Sequence, residues 1–212
     1  MKRNKNNSIK KSGRFEGEAG PAESCQRGKL FVLSGPSGVG KGTVIEALEE
    51  EPLDIEYSVS VTTRAPRPGE KEGEDYYFVD EKEFFRMKEN DDFLEWALVH
   101  NNYYGTLREK VENILESGKN LILELDIQGA KQIREKFPQA VLIFLLPPSL
   151  EELEHRLNKR GSENNESKKI RLHNARKELK QTVNYDYQVE NVHLEETVRR
   201  VKEIIAGESP FK

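Results

Sequence analysis

Leu30-Phe31-Val32-Leu33-Ser34-Gly35-Pro36-Ser37-Gly38-Val39-Gly40-Lys41-Gly42-Thr43 is the stretch on which the reading of this chain turns. An apolar run enters a glycine-rich segment, and a helical stretch follows from about Gly42 to Glu50. Gly35, four residues, then Gly40-Lys41 is the spacing of a phosphate-binding P-loop. Glycines let the backbone curl until successive N–H groups point inward at phosphate oxygens. The helix that follows adds its positive N-terminal end. Lys41 supplies a mobile cation for the outer phosphates. The expected nucleotide-binding residues are therefore Gly35, Pro36, Ser37, Gly38, Val39, Gly40, Lys41, Gly42 and Thr43. Gly42 stands where such loops usually carry Ser or Thr, and Thr43 comes one place later. Thr43 is expected to contact phosphate, with Mg²⁺ held mainly by phosphates and water, as suits an ion that dehydrates reluctantly.

Outward from the loop the chain alternates strand and helix. Tyr57 to Val61 reads as a second strand. Leu121 to Leu125 and Val141 to Leu146 are near-continuous apolar runs, the mark of strands buried on both faces of a parallel sheet. Pro147 and Pro148 stop the latter. Leu150, Leu153 and Leu157 recur at helical spacing, as do Val198, Val201, Ile204 and Ile205. The pattern predicts an α/β core. Between about Ser60 and Thr106 it changes to a Pro-, Gly- and charge-rich stretch, a strand at Tyr76 to Val79, and another at Phe93 to Val99. Asp80 with Glu83 forms a capping box for a short helix between them. This segment is expected to be a small α+β insertion.

Length and composition set the bounds. A chain of 212 residues fits one domain with inserted subdomains. Charged residues make up 34%, yet the apolar runs argue against general disorder. A net charge of −4 gives no electrostatic case for nucleic acid as the main partner. Cys25 is the only cysteine, so no internal disulfide forms and a reducing compartment is favoured. There is no apolar run long enough to span a membrane and no secretory signal, so the cytoplasm is the expected location. Residues 1–27 carry seven Lys/Arg against three Glu with no apolar period, and read as a disordered tail. None of the four His has ligand spacing.

Further motifs narrow the class. Ser58-Val-Ser-Val-Thr-Thr-Arg-Ala-Pro-Arg-Pro-Gly-Glu70, followed by Gly73-Glu-Asp-Tyr76-Tyr-Phe-Val79, closely resembles the signature of the guanylate kinase family. Phe93-Leu-Glu-Trp96, Asn102-Tyr-Tyr-Gly105 and Asp126-Ile-Gln-Gly129 resemble later blocks of that family, in the same order. The resemblance runs from about Gly28 to Ala206. It implies a P-loop parallel-sheet core, an inserted GMP-binding subdomain and a helical lid. The corresponding partition is a tail at 1–27, core at 28–59, insertion at 60–106, core at 107–149, lid at 150–176 and core at 177–207. The resemblance implies transfer of the terminal phosphate of ATP to GMP, with dGMP as a further acceptor and Mg²⁺ bound with ATP. It implies that Arg64, Arg67 and Tyr76 hold the GMP phosphate, assisted by Tyr104 and Ser60. Glu95, Thr106 and Asp126 would read guanine. Arg156, Arg160 and Arg171 would be lid arginines that act with Lys41 and Arg64 in transfer, and Asn191 would lie near the adenine. Glu124 resembles the acidic residue that organises the water shell of Mg²⁺, and Thr43 is the other metal candidate through water.

The chemistry of these residues is sensible on its own terms. Two arginines three apart in a proline-stiffened loop can clamp a dianionic phosphate with fixed forks. A carboxylate accepts hydrogen bonds only, so Glu95 suits the N1–H and 2-amino donors of guanine, which adenine does not present. Glu124 and Asp126, two apart at the end of an apolar strand, are expected on one side, by the ligand crevice. Arg156 and Arg160 flank the leucine face of one helix. A catalytically inactive relative that binds phosphopeptides, or a kinase of another small acceptor, is the alternative. The oligomeric state is not legible in the sequence, a homodimer being one option.

Overall fold

The computed structural model describes residues 26–99, 101–159 and 173–208. The elements run β1 (Leu30–Ser34), α1 (Lys41–Glu49), β2 (Ile55–Tyr57), β3 (Ser60–Thr62), β4 (Tyr76–Phe78), α2 (Glu81–Glu89), β5 (Phe93–Val99) and β6 (Asn102–Leu107). They continue with α3 (Arg108–Glu116), β7 (Asn120–Glu124), α4 (Ile127–Lys136), β8 (Val141–Leu146), α5 (Leu150–Lys159), β9 (Tyr187–Glu190) and α6 (Leu194–Glu208). A 3₁₀ helix, Leu179–Asn184, leads into β9.

The core is a five-stranded sheet of order β2-β7-β1-β8-β9, parallel throughout. Every residue of β1 is buried, because helices cover both faces of the sheet. Alternation along the strands sorts the apolar side chains into two layers. Phe31, Leu33, Ile122, Ile143 and Leu145 pack with Val44 and Leu48 of α1 and Val201 and Ile204 of α6. Leu30, Val32, Leu121, Leu123 and Leu142 pack on the other face with Val111 and Leu115 of α3 and Ile133 of α4. This two-sided burial explains why the strands read as continuous apolar runs. No helix among the described residues is long and apolar enough to cross a membrane.

The second sheet has the order β4-β3-β6-β5 and is mixed, with β3 and β4 parallel and the other pairs antiparallel. Its small core joins Val61, Phe84 of α2 and Phe93, with Phe84 stacked on Phe93 at 4.5 Å between ring centroids. The single strand expected from Tyr57 to Val61 is two strands. Tyr57 ends β2, which pairs with β7 in the core, while Ser60 starts β3, which pairs in the second sheet. The chain changes sheets across Ser58 and Val59, a change of partner that side-chain alternation cannot reveal. The strand at β6 is likewise a finding of the structure. Its pairing sets Thr106 opposite Glu95 and Tyr104 opposite Ala97.

Helix α2 begins at Asp80, whose carboxylate accepts the Glu83 N–H at 2.7 Å, but the reciprocal half of the expected capping box is replaced by an ion pair of the Glu83 carboxylate with Arg86. Removing the Asp80 carboxylate by Asp80→Ala leaves a first-turn donor uncapped and should cost about 1 kcal/mol. Urea denaturation of the variant checks this, and an unchanged midpoint would show that the cap contributes nothing.

Candidate active site

The P-loop leaves the carboxyl end of β1 and is held from behind. Gly40 has φ 103°, in the left-handed region that only glycine adopts without strain, and turns the chain into α1. Lys41 Nζ donates to the Gly35 carbonyl at 2.8 Å, so its ammonium lies over the loop it follows. The Val39 carbonyl accepts from Asn191 Nδ2 at 2.8 Å and from Arg156 Nη1 at 3.2 Å. Buried Asn191 is itself fixed: its N–H donates to the Leu146 carbonyl, and its Oδ1 accepts from Thr197. Arg156 also donates to the Asn191 carbonyl at 3.1 Å and to Glu152 at 2.8 Å. Arg156, Asn191 and the loop thus form one unit, with the guanidinium taken up by protein oxygens at the loop's outer rim. Arg160 and Arg171 lie outside the described residues.

A cleft of about 520 Å³ opens between the carboxyl ends of the core strands and the second sheet. Lys41, Gly42 and Thr43 line one side of it. Ser60, Arg67, Tyr76 and Tyr104 line the other, and Glu95, Glu124 and Asp126 lie between. Parallel sheets put their ligand crevices at this edge. Residues from separate stretches of the sequence therefore meet in one place.

Arg64 stands beside the cleft-lining residues Glu70 and Tyr76, which orient its guanidinium. Glu70 accepts from both of its terminal nitrogens, at 2.8 and 2.9 Å, and the Ala65 carbonyl accepts from one of them. The guanidinium lies over the Tyr76 ring at 5.2 Å. Glu70 also accepts the Arg67 N–H at 2.7 Å, so one carboxylate ties together the loop that carries both arginines. Hydrogen bonds from Arg64 hold the Glu70 carboxyl below the usual carboxylate range. Sequence reasoning missed Glu70 as a functional residue. The available signal was a carboxylate three places after Arg67 in the same short loop. Burial, then the charge of Glu124, pushes the Tyr76 hydroxyl up to about 12.

Also missed was an acidic rim. Glu46 and Glu49 of α1 line the cleft with Glu74 and Asp75 of the loop before β4. Burial raises the Glu49 carboxyl, and Glu46 and Asp75 raise it further. The Tyr57 and Ser58 hydroxyls are buried in the same wall without a hydrogen-bond partner among the described residues. These residues come from α1, the sheet crossing and a loop, and only the fold brings them together.

Glu95 is 3% exposed, and Thr106 Oγ1 donates to its Oε1 at 2.6 Å. Burial pushes its carboxyl up to about 7, the Thr106 hydrogen bond opposes that shift, and Asp126 adds to it. The expectation that Glu124 and Asp126 share one strand needs correcting. β7 ends at Glu124, and Asp126 is the N-cap of α4, accepting the Gly129 N–H at 2.9 Å and Gln128 Nε2 at 3.0 Å. Both carboxylates still reach the cleft.

A parallel sheet whose central strand feeds a phosphate loop, facing an inserted sheet with its own arginine loop, defines a P-loop kinase of the nucleoside monophosphate kind. The family model described as guanylate kinase matches residues 27–208. A guanylate kinase of Caldanaerobacter subterraneus subsp. tengcongensis is 49% identical over 86% of this chain and 89% of its own. One of Latilactobacillus sakei subsp. sakei is 51% identical over 86% and 90%. The crystal structure of guanylate kinase from Anaplasma phagocytophilum superposes with a TM-score of 0.74 at 40% identity, covering 87% of this chain and 88% of that one. The chain belongs to the guanylate kinase family.

The raised Glu95 carboxyl makes stability depend on pH. Its folded value, about 7, lies above the ordinary 4.5, so the folded state binds the extra proton between the two. That contribution is complete below 4.5 and is lost as pH rises through 7, a fall of about 3 kcal/mol. Urea unfolding of the parent and of Glu95→Gln between pH 4 and pH 8 checks this. The parent should weaken relative to the variant over that range, and parallel curves would mean that Glu95 is not protonated in the fold.

Proposed function

We propose that this chain is a guanylate kinase that catalyses ATP + GMP → ADP + GDP by in-line phosphoryl transfer, with dGMP as a second acceptor. One observation carries the reading. A single cleft holds a phosphate loop on one side and, on the other, an arginine loop beside the buried Glu95–Thr106 pair. The first suits the phosphates of ATP, the second the phosphate of a nucleotide, and the third a base that presents adjacent donors.

The acceptor's phosphate is already an anionic nucleophile, so no catalytic base is needed. Catalysis reduces to alignment and to neutralising charge on the transferring group. We assign Arg64, Arg67, Tyr76, Tyr104 and Ser60 to the GMP phosphate. Lys41 and the N–H groups from Gly35 to Thr43 serve the phosphates of ATP. Arg156 and Asn191 fix the loop beneath that nucleotide, and Arg160 and Arg171 carry the charge-neutralising role of the lid. Closing the site excludes water from the transferring group.

Glu124 and Thr43 offer hard oxygen donors to Mg²⁺ in the cleft wall. Among the described residues no cluster of three or more His, Cys, Asp or Glu is arranged to hold a metal. That donor set fits an ion carried in with ATP and held mainly by phosphates and water. When bound, Mg²⁺ supplies neutralisation of phosphate charge; the residues above do the positioning. A cytoplasmic location belongs to the same proposal and rests on the single cysteine.

A transfer assay with ATP–Mg²⁺ and GMP, dGMP, AMP, CMP and UMP tests the reaction. GMP and dGMP should be the acceptors used, and equal use of AMP would remove the base assignment. Glu95→Gln turns one acceptor oxygen into a donor facing a guanine donor. It should lower kcat/KM for GMP about 30- to 1000-fold, the equivalent of about 2–4 kcal/mol, and leave KM for ATP nearly unchanged. Parental use of GMP by this variant would move the base-reading role to Asp126.

A further inference from the structure

Strand β5 is the edge of the second sheet, paired with β6 on one side only. Its outer backbone groups are nevertheless met, by side chains of the core helix α4. Gln132 Nε2 donates to the Trp96 carbonyl at 2.7 Å, and its Oε1 accepts the Trp96 N–H at 3.4 Å. Gln128 Nε2 donates to the Leu98 carbonyl at 3.3 Å, and Lys136 Nζ donates to the Leu94 carbonyl. These contacts flank Glu95, whose carboxylate rests against the backbone of the same helix.

The seat for that carboxylate is Gly129. A Cβ at this position would lie 2.5 Å from Glu95 Oε2 and 3.1 Å from its Cδ, closer than van der Waals contact permits. Gly129 is buried within α4, where alanine would favour the helix by about 1 kcal/mol. The local preference of the helix is therefore overridden by the space the carboxylate occupies. Thr106 holds Oε1 from one side and the bare Gly129 backbone receives Oε2 from the other. The carboxylate, which also lines the cleft, is thus bracketed by these two groups.

We propose that Gly129 and Gln132 are positioning residues for base recognition: the first leaves room for the Glu95 carboxylate, and the second fixes the height of the strand that carries it. The inference rests on the reading of Glu95 as the reader of guanine. Neither residue lines the cleft. Their effect is expected on the choice of base rather than on ATP.

The test is a double-mutant cycle read with GMP and with inosine monophosphate, which keeps the N1–H and lacks the 2-amino group. Gly129→Ala should lower kcat/KM for GMP at least tenfold, leave KM for ATP within twofold, and narrow the preference for GMP over inosine monophosphate. In a Glu95→Ala background, with no carboxylate to displace, the same substitution should change kcat/KM for GMP by less than twofold. Gln132→Ala provides a second, milder variant if Gly129→Ala fails to fold. It should raise KM for GMP and narrow the same preference, again only when Glu95 is present. Equal losses in both Glu95 backgrounds, or an unchanged base preference in the foldable variants, would overturn the proposal. If Glu95→Ala alone costs nothing with GMP, the base-reading assignment fails and this inference with it. A Glu95→Ala loss with silent Gly129 and Gln132 variants would sink the inference alone.

Discussion

Parallel pairing of β1 with both β7 and β8 is the constraint on which the rest depends. Parallel strands bring their carboxyl ends to the same edge, and this edge receives the P-loop after β1, Glu124 at the end of β7 and Asn191 just past β9. No single segment contains the site. Two-sided burial fixes the register, because a shift of one residue would exchange Phe31 and Leu33 with their neighbours across the sheet. The position of the loop is therefore set by hydrophobic packing well away from any phosphate.

Around that edge, polar groups do the finer positioning, and they do it in pairs. Val39 offers one carbonyl to two donors, Glu70 offers one carboxylate to both arginines of its loop, and Asp126 caps α4 while facing the cleft. Hydrogen bonds to charged groups are worth more than neutral ones, and more still where water is excluded. Arg64, Arg156 and Asn191 are thus each held by neighbouring protein groups.

Local pattern made much of this legible. The P-loop spacing, the doubly buried strands and the Asp80 cap could be read because each is a feature of a few consecutive residues, whereas the residues expected at the cleft came from the family resemblance of short motifs. What could not be read depends on partners. The break at Ser58 and Val59 arises because two strands with one alternation belong to different sheets. Glu124 and Asp126 looked like one strand because the start of α4 has the same spacing as a strand end. Arg156 was legible as a cation on a helix face, while its hold on Val39 required the relative placement of α5 and the loop. The acidic rim was hidden for the same reason, being assembled from a helix and a distant loop.

The bond from Asn191 to the Val39 carbonyl joins residues 152 positions apart. A chain emerging from the ribosome carries the complete phosphate-loop sequence long before it carries the side chain that holds the loop in shape. Contacts of such sequence separation form late, since the entropy of closing the intervening chain must be met first. A fragment that stops short of β9 keeps every glycine of the loop, Lys41 and Arg156 yet lacks the Asn191 contact. Order of synthesis thereby separates possession of the motif from completion of the contacts that hold it in shape.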